Sequence, residues 1–199
     1  MQELLLNDDD ELVQPDETTF NTVIAAWSKS KQPEAPQRAE LLLGTMKDRR
    51  LRPTVVTYGS ILQCWAKSKD KGAADRAEAI LREMQTSKDN VPPNIICYNI
   101  VLNALANAAR QHRDCRAVTK SLSLLGELLE KDSHVLPNAS TFRTVLNAIV
   151  GSTVQNKFER ANGVIELIKQ NKIQPSSADW KLIDRVSKNA SNNHKTKTR

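Results

Sequence analysis

The sequence predicts an all-α fold, a right-handed superhelical solenoid of helix–turn–helix repeats, and three observations predict it. Prolines stand at positions 15, 53, 93, 137 and 175, spaced by 38, 40, 44 and 38 residues, a period that belongs to helical solenoids. An aromatic follows each proline by five residues: Phe20, Tyr58, Tyr98, Phe142 and Trp180. From the first four of these aromatics, apolar residues recur at helical offsets of three, four and seven, which is one buried stripe on a short helix, four times over.

The first unit, 15–52, opens on "PDETTFNTVIAAWSKS" and places Phe20, Val23, Ile24 and Trp27 on its stripe. Its second helix reads "RAELLLGTM" from Arg38, with Ala39, Leu42, Leu43 and Met46 inward. The second unit, 53–92, repeats both elements as "PTVVTYGSILQCWAKS" and "RAEAILREM", with Tyr58, Ile61, Leu62 and Trp65, then Ala77, Ile80, Leu81 and Met84. Trp27 and Trp65 are therefore assigned to the core. The third unit, 93–136, carries Tyr98, Val101, Leu102 and Leu105, then Ser121, Leu124, Leu125 and Leu128. Its connection is four residues longer, around "RQHRDC". The fourth, 137–174, carries Phe142, Val145, Leu146 and Ile149, then Ala161, Val164, Ile165 and Ile168. A worn partial unit, 175–186, follows. Alanine, or Ser121 in the third unit, opens each second stripe where two helices cross closely. Each proline ends a unit because it cannot continue a helix and biases the preceding residue toward extended geometry. No alternation of period two lasts long enough to predict a sheet.

The chain of 199 residues has a net charge of +6, unevenly spread. Residues 1–17 hold seven acids and no Lys or Arg, and the tail from Ser187 holds four basic residues and no acid. The body between them carries 25 basic and 16 acidic residues, a balance that suits either a polyanionic partner or an ordinary soluble surface. Segment 1–14 reads as an acidic cap or as the end of a preceding repeat, since Met1 falls where a second helix would close. Segment 187–199 reads as a basic disordered tail. No stretch is long enough to cross a bilayer, which argues against a membrane partner, and no targeting peptide is visible. The cysteines, Cys64, Cys97 and Cys115, lack CxxC spacing and are odd in number, which argues against a disulfide framework or a zinc site.

The unit pattern, "P-x-x-x-T-[YF]-N", a helix closing near "W-[SA]-K-S", then "R-A-E-x-[LI]-L-x-x-M", resembles the pentatricopeptide repeat family over residues 15 to about 186. The tetratricopeptide pattern "W-x-x-L-G-x-x-Y" is absent. The resemblance implies a modular reader of single-stranded RNA with about one base per repeat, acting in RNA processing, stability, editing or translation in a mitochondrion or plastid. A helical-repeat scaffold for a protein partner is the alternative.

In that family the residue after the aromatic and the residue after the next proline address one base together. The resemblance thus implies four base-reading pairs: Asn21 with Thr54, Gly59 with Asn94, Asn99 with Asn138, and Arg143 with Ser176. Asn99 with Asn138 looks like a pyrimidine reader, and Asn21 leans the first unit the same way. An amide carries both a donor and an acceptor, so it can tell base edges apart. Gly59 offers no side chain, and Arg143 suits a phosphate as well as a base. Three residues before each first member stand Thr18, Val56, Ile96 and Ser140, where the family packs side chains on bases; Val56 and Ile96 would serve equally as inter-repeat core. Lys29 and Lys67 fall where the family contacts phosphate, and a helix end favours cations in any case. Asn107 and Gly151 stand there in the third and fourth units, so phosphate contact should fade toward the C-terminus.

No catalytic or metal-binding constellation accompanies the repeats. His112, His134 and His194 are scattered without ligand spacing, and neither a phosphate loop nor "H-E-x-x-H" occurs. "DDDE" at 8–11 reads as an acidic segment rather than a cation site. The expectation is a binding protein without a cofactor.

Overall fold

The computed structural model describes residues 14–86, 91–130, 133–177, 179–184 and 186, and among them it holds only helices and their connections. The acidic segment before Gln14 and the basic tail at 187–199 lie outside the described residues. In chain order the helices are α1 (Glu17–Lys29), α2 (Ala35–Asp48), α3 (Val55–Lys67), α4 (Ala73–Thr86), α5 (Ile95–Gln111), α6 (Cys115–Leu129), α7 (Ala139–Gly151) and α8 (Lys157–Gln170). Residues 177, 179–184 and 186 are also helical.

The residue after each recurring proline starts a helix. Asp16, Thr54, Asn94 and Asn138 are the N-caps of α1, α3, α5 and α7, each accepting a backbone N–H from the first turn. Ser176 Oγ accepts from Asp179 N–H in the same way at 3.3 Å. A short polar side chain satisfies a donor that the helix cannot, so proline followed by Asp, Thr, Asn or Ser is a start signal. Second helices end as abruptly. Arg50 and Lys172 take left-handed backbone, with φ of 58° and 52°. Leu51 N–H then bonds Met46 O at 2.9 Å, and Ile173 N–H bonds Ile168 O at 3.1 Å. These Schellman closures turn the chain toward the next proline.

The third unit departs from expectation at its connection. The four extra residues of the third unit lengthen the helix, not the loop: α5 has 17 residues where α1, α3 and α7 have 13. The added turn is alanine-rich, and Ala108 and Ala109 are buried at 5% and 1% exposure, so both propensity and packing favour helix.

Successive first helices, α1, α3, α5 and α7, pack side by side, and each second helix packs on its partner and on the next first helix. Successive second helices approach less closely, which places them on the outer arc and the first helices on the inner one. The result is an all-helical solenoid held by nearest-neighbour burial. The stripes of the second, third and fourth units are buried throughout. The first unit departs: Val23 is 41% exposed and Trp27 only partly buried, because among the described residues nothing packs on that side of α1. The assignment of Trp27 to the core is corrected accordingly, while Trp65 is buried and donates Nε1–H to Glu40 at 2.5 Å. Trp180, the fifth aromatic, is 55% exposed.

Ion pairs lace the outer helices where direct packing thins. Arg76 pairs with Glu40 at 2.6 Å, Lys47 with Glu83 at 2.5 Å and Arg82 with Glu127 at 2.6 Å. Lys120 reaches Asp75 at 2.6 Å and Glu78 at 2.7 Å. Burial works against the Lys120 charge, but the two carboxylates outweigh it and hold the amine above its ordinary range. No helix among the described residues is long and apolar enough to cross a membrane.

Candidate nucleic-acid interface

The first helices bring the members of each sequence-predicted pair together at one end of the inner row. Asn99 and Asn138 lie closest, Nδ2 to Oδ1 at 3.5 Å. Asn21 and Thr54 meet through Thr57, whose hydroxyl lies 2.5 Å from Asn21 Oδ1 and 3.2 Å from Thr54 Oγ1. Gly59 and Asn94 line one cleft. Arg143 and Ser176 meet through Asp179. Its Oδ1 is 3.6 Å from Arg143, and its Oδ2 accepts from Ser176 N–H at 2.8 Å.

The second member of each pair is already committed to its own helix. Asn94 Oδ1 accepts from Ile96 N–H at 3.0 Å and Cys97 N–H at 3.1 Å, and Asn138 Oδ1 accepts from Thr141 N–H at 3.1 Å. Capping consumes the side-chain oxygen of each asparagine and leaves its NH2 group as the part that can face a ligand.

Between α3 and α5 lies an apolar cleft of about 330 Å3, lined by Val56, Gly59, Gln63, Asn94, Ile96 and Ile100 among others. Val56 and Ile96 are 70% and 62% exposed, so they are not inter-repeat core. Thr18 is exposed and Ser140 half-buried at the equivalent positions of α1 and α7. Ser140 Oγ accepts from Arg143 at 3.3 Å. Large aliphatic side chains held in solvent beside amides are unusual on a helix surface.

The other end of α1 and α3 is basic. A second cleft, of about 460 Å3, is lined by Lys31, Lys67 and Lys69 together with Trp27 and Asp70. Lys29 is exposed at the end of α1. Lys67 is exposed too, but its Nζ donates to Ser28 O at 2.7 Å and so closes the preceding first helix. Asn107 repeats that bond one unit later, Nδ2 to Ala66 O at 3.1 Å. Beside it Arg110, on the added turn of α5, donates to Asn107 Oδ1 at 3.0 Å and lies along Gly151. The third unit thus carries a cation near the position where the sequence shows only Asn107.

Thr57, Thr141 and Asp179 are absent from the sequence-predicted site, although all three touch it. Their signal is the capping pattern itself: Thr54 with Thr57 and Asn138 with Thr141 form capping boxes, three residues apart. Among the described residues no group of three His, Cys, Asp or Glu side chains is placed to hold a metal ion.

Comparison with known proteins agrees with the fold. The family model described as pentatricopeptide repeat domain matches residues 4–68 and 66–108, more than half of the chain. A search of the curated proteins finds no match. Among solved structures, the pentatricopeptide repeat protein PPR10 from maize aligns at 21% identity with a TM-score of 0.70, covering 92% of this chain and 24% of its own. PPR10 in complex with an 18-nt psaJ RNA element aligns at 22% identity with a TM-score of 0.65, covering 88% of this chain and 23% of its own. The chain therefore spans about a quarter of the length of those proteins. With the family profile over its first half and a solenoid of paired helices among the described residues, the chain belongs to the pentatricopeptide repeat family.

Proposed function

We propose that the chain binds single-stranded RNA along its inner row of first helices, with a lean toward pyrimidines. Its setting would be RNA metabolism in a mitochondrion or plastid, where occupying a transcript serves processing, stability, editing or translation. The observation that carries the reading is the cleft between α3 and α5, where Val56 and Ile96 stand exposed on either side of Gly59 and Asn94. An unstacked base slides between two aliphatic side chains there and presents its edge to the pair of reading positions. The four pairs, Asn21 with Thr54, Gly59 with Asn94, Asn99 with Asn138 and Arg143 with Ser176, would each address one base. Lys29 and Lys67, with Lys31 and Lys69 beside them, supply positive charge for the phosphates. Membership of the repeat family supports the reading, as does the likeness to a protein solved with an 18-nt RNA.

Base stacking contributes on the order of 1–3 kcal/mol per base. Four such contacts give a modest affinity that depends on salt. The test is fluorescence anisotropy with a labelled single-stranded 12-mer and with the same strand in a duplex. Single-strand binding at least tenfold tighter than duplex binding, weakening as salt rises, is the expected result. Equal binding to both forms, or to neither, contradicts it.

A further inference from the structure

The third residue after the N-cap meets the candidate reading position of the unit before in three places, and its chemistry changes in step with that position. Thr57 in α3 meets Asn21, and Thr141 in α7 meets Asn99, with Oγ1 to Oδ1 distances of 2.5 Å and 2.8 Å. Asp179 meets Arg143 at 3.6 Å. Cys97 in α5 shares its cleft with Gly59, which has no side chain to meet. Asparagine faces threonine twice, arginine faces aspartate, and glycine faces cysteine.

The polarity of the two threonine bonds follows from what else each hydroxyl does. Thr57 Oγ1 accepts from Thr54 N–H at 2.9 Å, and Thr141 Oγ1 accepts from Asn138 N–H at 3.1 Å. Each hydroxyl has one proton left to give, and the asparagine carbonyl oxygen lies in its path. Both threonines are buried, at 1% and 0% exposure, so no bulk water competes for that proton. The amides of Asn21 and Asn99 are therefore held with oxygen inward and NH2 outward. In the third unit Asn138 Oδ1 accepts from Thr141 N–H and, at 3.5 Å, from one N–H of Asn99, which leaves the second N–H of Asn99 and the NH2 of Asn138 as the donors a ligand meets.

We infer that Thr57 and Thr141 are positioning residues that set the polarity of base reading. The inference rests on the RNA-binding reading above. With donors outward, these units favour bases whose pairing edge carries two acceptors, O2 and O4 of uracil or O2 and N3 of cytosine, over adenine and guanine, which offer one each (N1 and O6). A flipped amide would present its oxygen instead and accept from the amino groups of adenine, guanine and cytosine alike, which removes the advantage of the pyrimidines as a class. Cys97 cannot orient an amide by the same bond, so the second unit reads without polarity. Gly59 is not glycine for lack of room, since a Cβ there would meet nothing within 4 Å.

The experiment measures the binding of wild-type chain, Thr141→Val and Thr141→Ser to single-stranded C12, U12 and A12, with thermal unfolding of each variant. The ratio of pyrimidine to purine affinity is the readout, because simple loss of stability lowers all affinities together. Wild type should prefer pyrimidine strands, Thr141→Val should reduce that preference about fivefold, and Thr141→Ser should keep it. The double substitution Gly59→Asn with Cys97→Thr should raise the preference by a similar factor, and Gly59→Asn alone should raise it less. An unchanged ratio in Thr141→Val overturns the inference while leaving RNA binding intact. A wild-type chain that binds none of the three strands overturns the RNA-binding reading and this inference with it.

Discussion

Thr57 Oγ1 lies 2.5 Å from Asn21 Oδ1, a hydrogen bond that crosses from the first helix of one pair to the first helix of the next. The same bond recurs between Thr141 and Asn99 two units on. It ties the proposed reading position to the inter-repeat contact, so under the RNA-binding proposal recognition and stability share an atom. Thr57→Val keeps the shape and removes the hydroxyl, leaving the half-buried Asn21 oxygen and Thr54 N–H to find water. The expected cost is about 1 kcal/mol in urea unfolding, with Thr57→Ser close to wild type. A neutral Thr57→Val would show that the bond carries no stability.

Core burial has a larger effect. Leu102 in α5 is fully buried at 0% exposure, where α5 meets its neighbours on both sides. Leu102→Ala should cost about 2–5 kcal/mol. Because units touch only their neighbours, the loss should also split or broaden the unfolding transition. Leu41, 63% exposed, serves as the control, with a Leu41→Ala effect within about 0.5 kcal/mol.

The outer ion pairs should contribute little each. Arg82 and Glu127 make a two-bond contact at 2.6 Å, yet their side chains remain 40% and 29% exposed. A double-mutant cycle through Arg82→Met and Glu127→Gln should give a coupling of about 1 kcal/mol or less, shrinking in high salt. Coupling several times larger would mean that the pair sets the spacing of α4 and α6 rather than decorating it.

Cysteine chemistry should separate by position. Cys64 is 3% exposed, and burial pushes its thiol up to about 11 although the charge of Lys67 pulls the other way. Burial raises Cys97 as well. At pH 8 a thiol reagent should label the exposed Cys115 in the folded chain and reach the other two only on unfolding. The unfolded chain ionises Cys64 near the ordinary 9.0, so from there to about 11 the folded state holds the extra proton. Stability from this group is therefore complete below pH 9 and falls as pH rises through that window. Cys64→Ala should flatten the fall.

Much of the fold was legible because the proline period, the aromatic at the fifth position and the stripe offsets all report one buried face per helix. The failures mark where a single sequence lacks the neighbour. Val23 has the right offset, but burial needs a helix on that side of α1. The insertion around "RQHRDC" reads as a longer connection because its polar residues mask an alanine run that extends α5. At the site, the pairs are what the family resemblance implies, whereas bond polarity does not follow from residue types. Thr57 and Thr141 stand in plain view within the repeat pattern. Their role depends on which oxygen a hydroxyl faces across a unit boundary, and that distance exists only in the fold.

The most direct test is the affinity of the chain and of an Asn99→Ala, Asn138→Ala variant for pyrimidine-rich and purine-rich single-stranded 12-mers at one fixed salt concentration. The account predicts that wild type prefers the pyrimidine strand and that the variant loses most of that preference while keeping its salt-dependent binding. Equal affinity of wild type for both strands, or a preference that survives removal of both amides, would contradict base reading by the inner row.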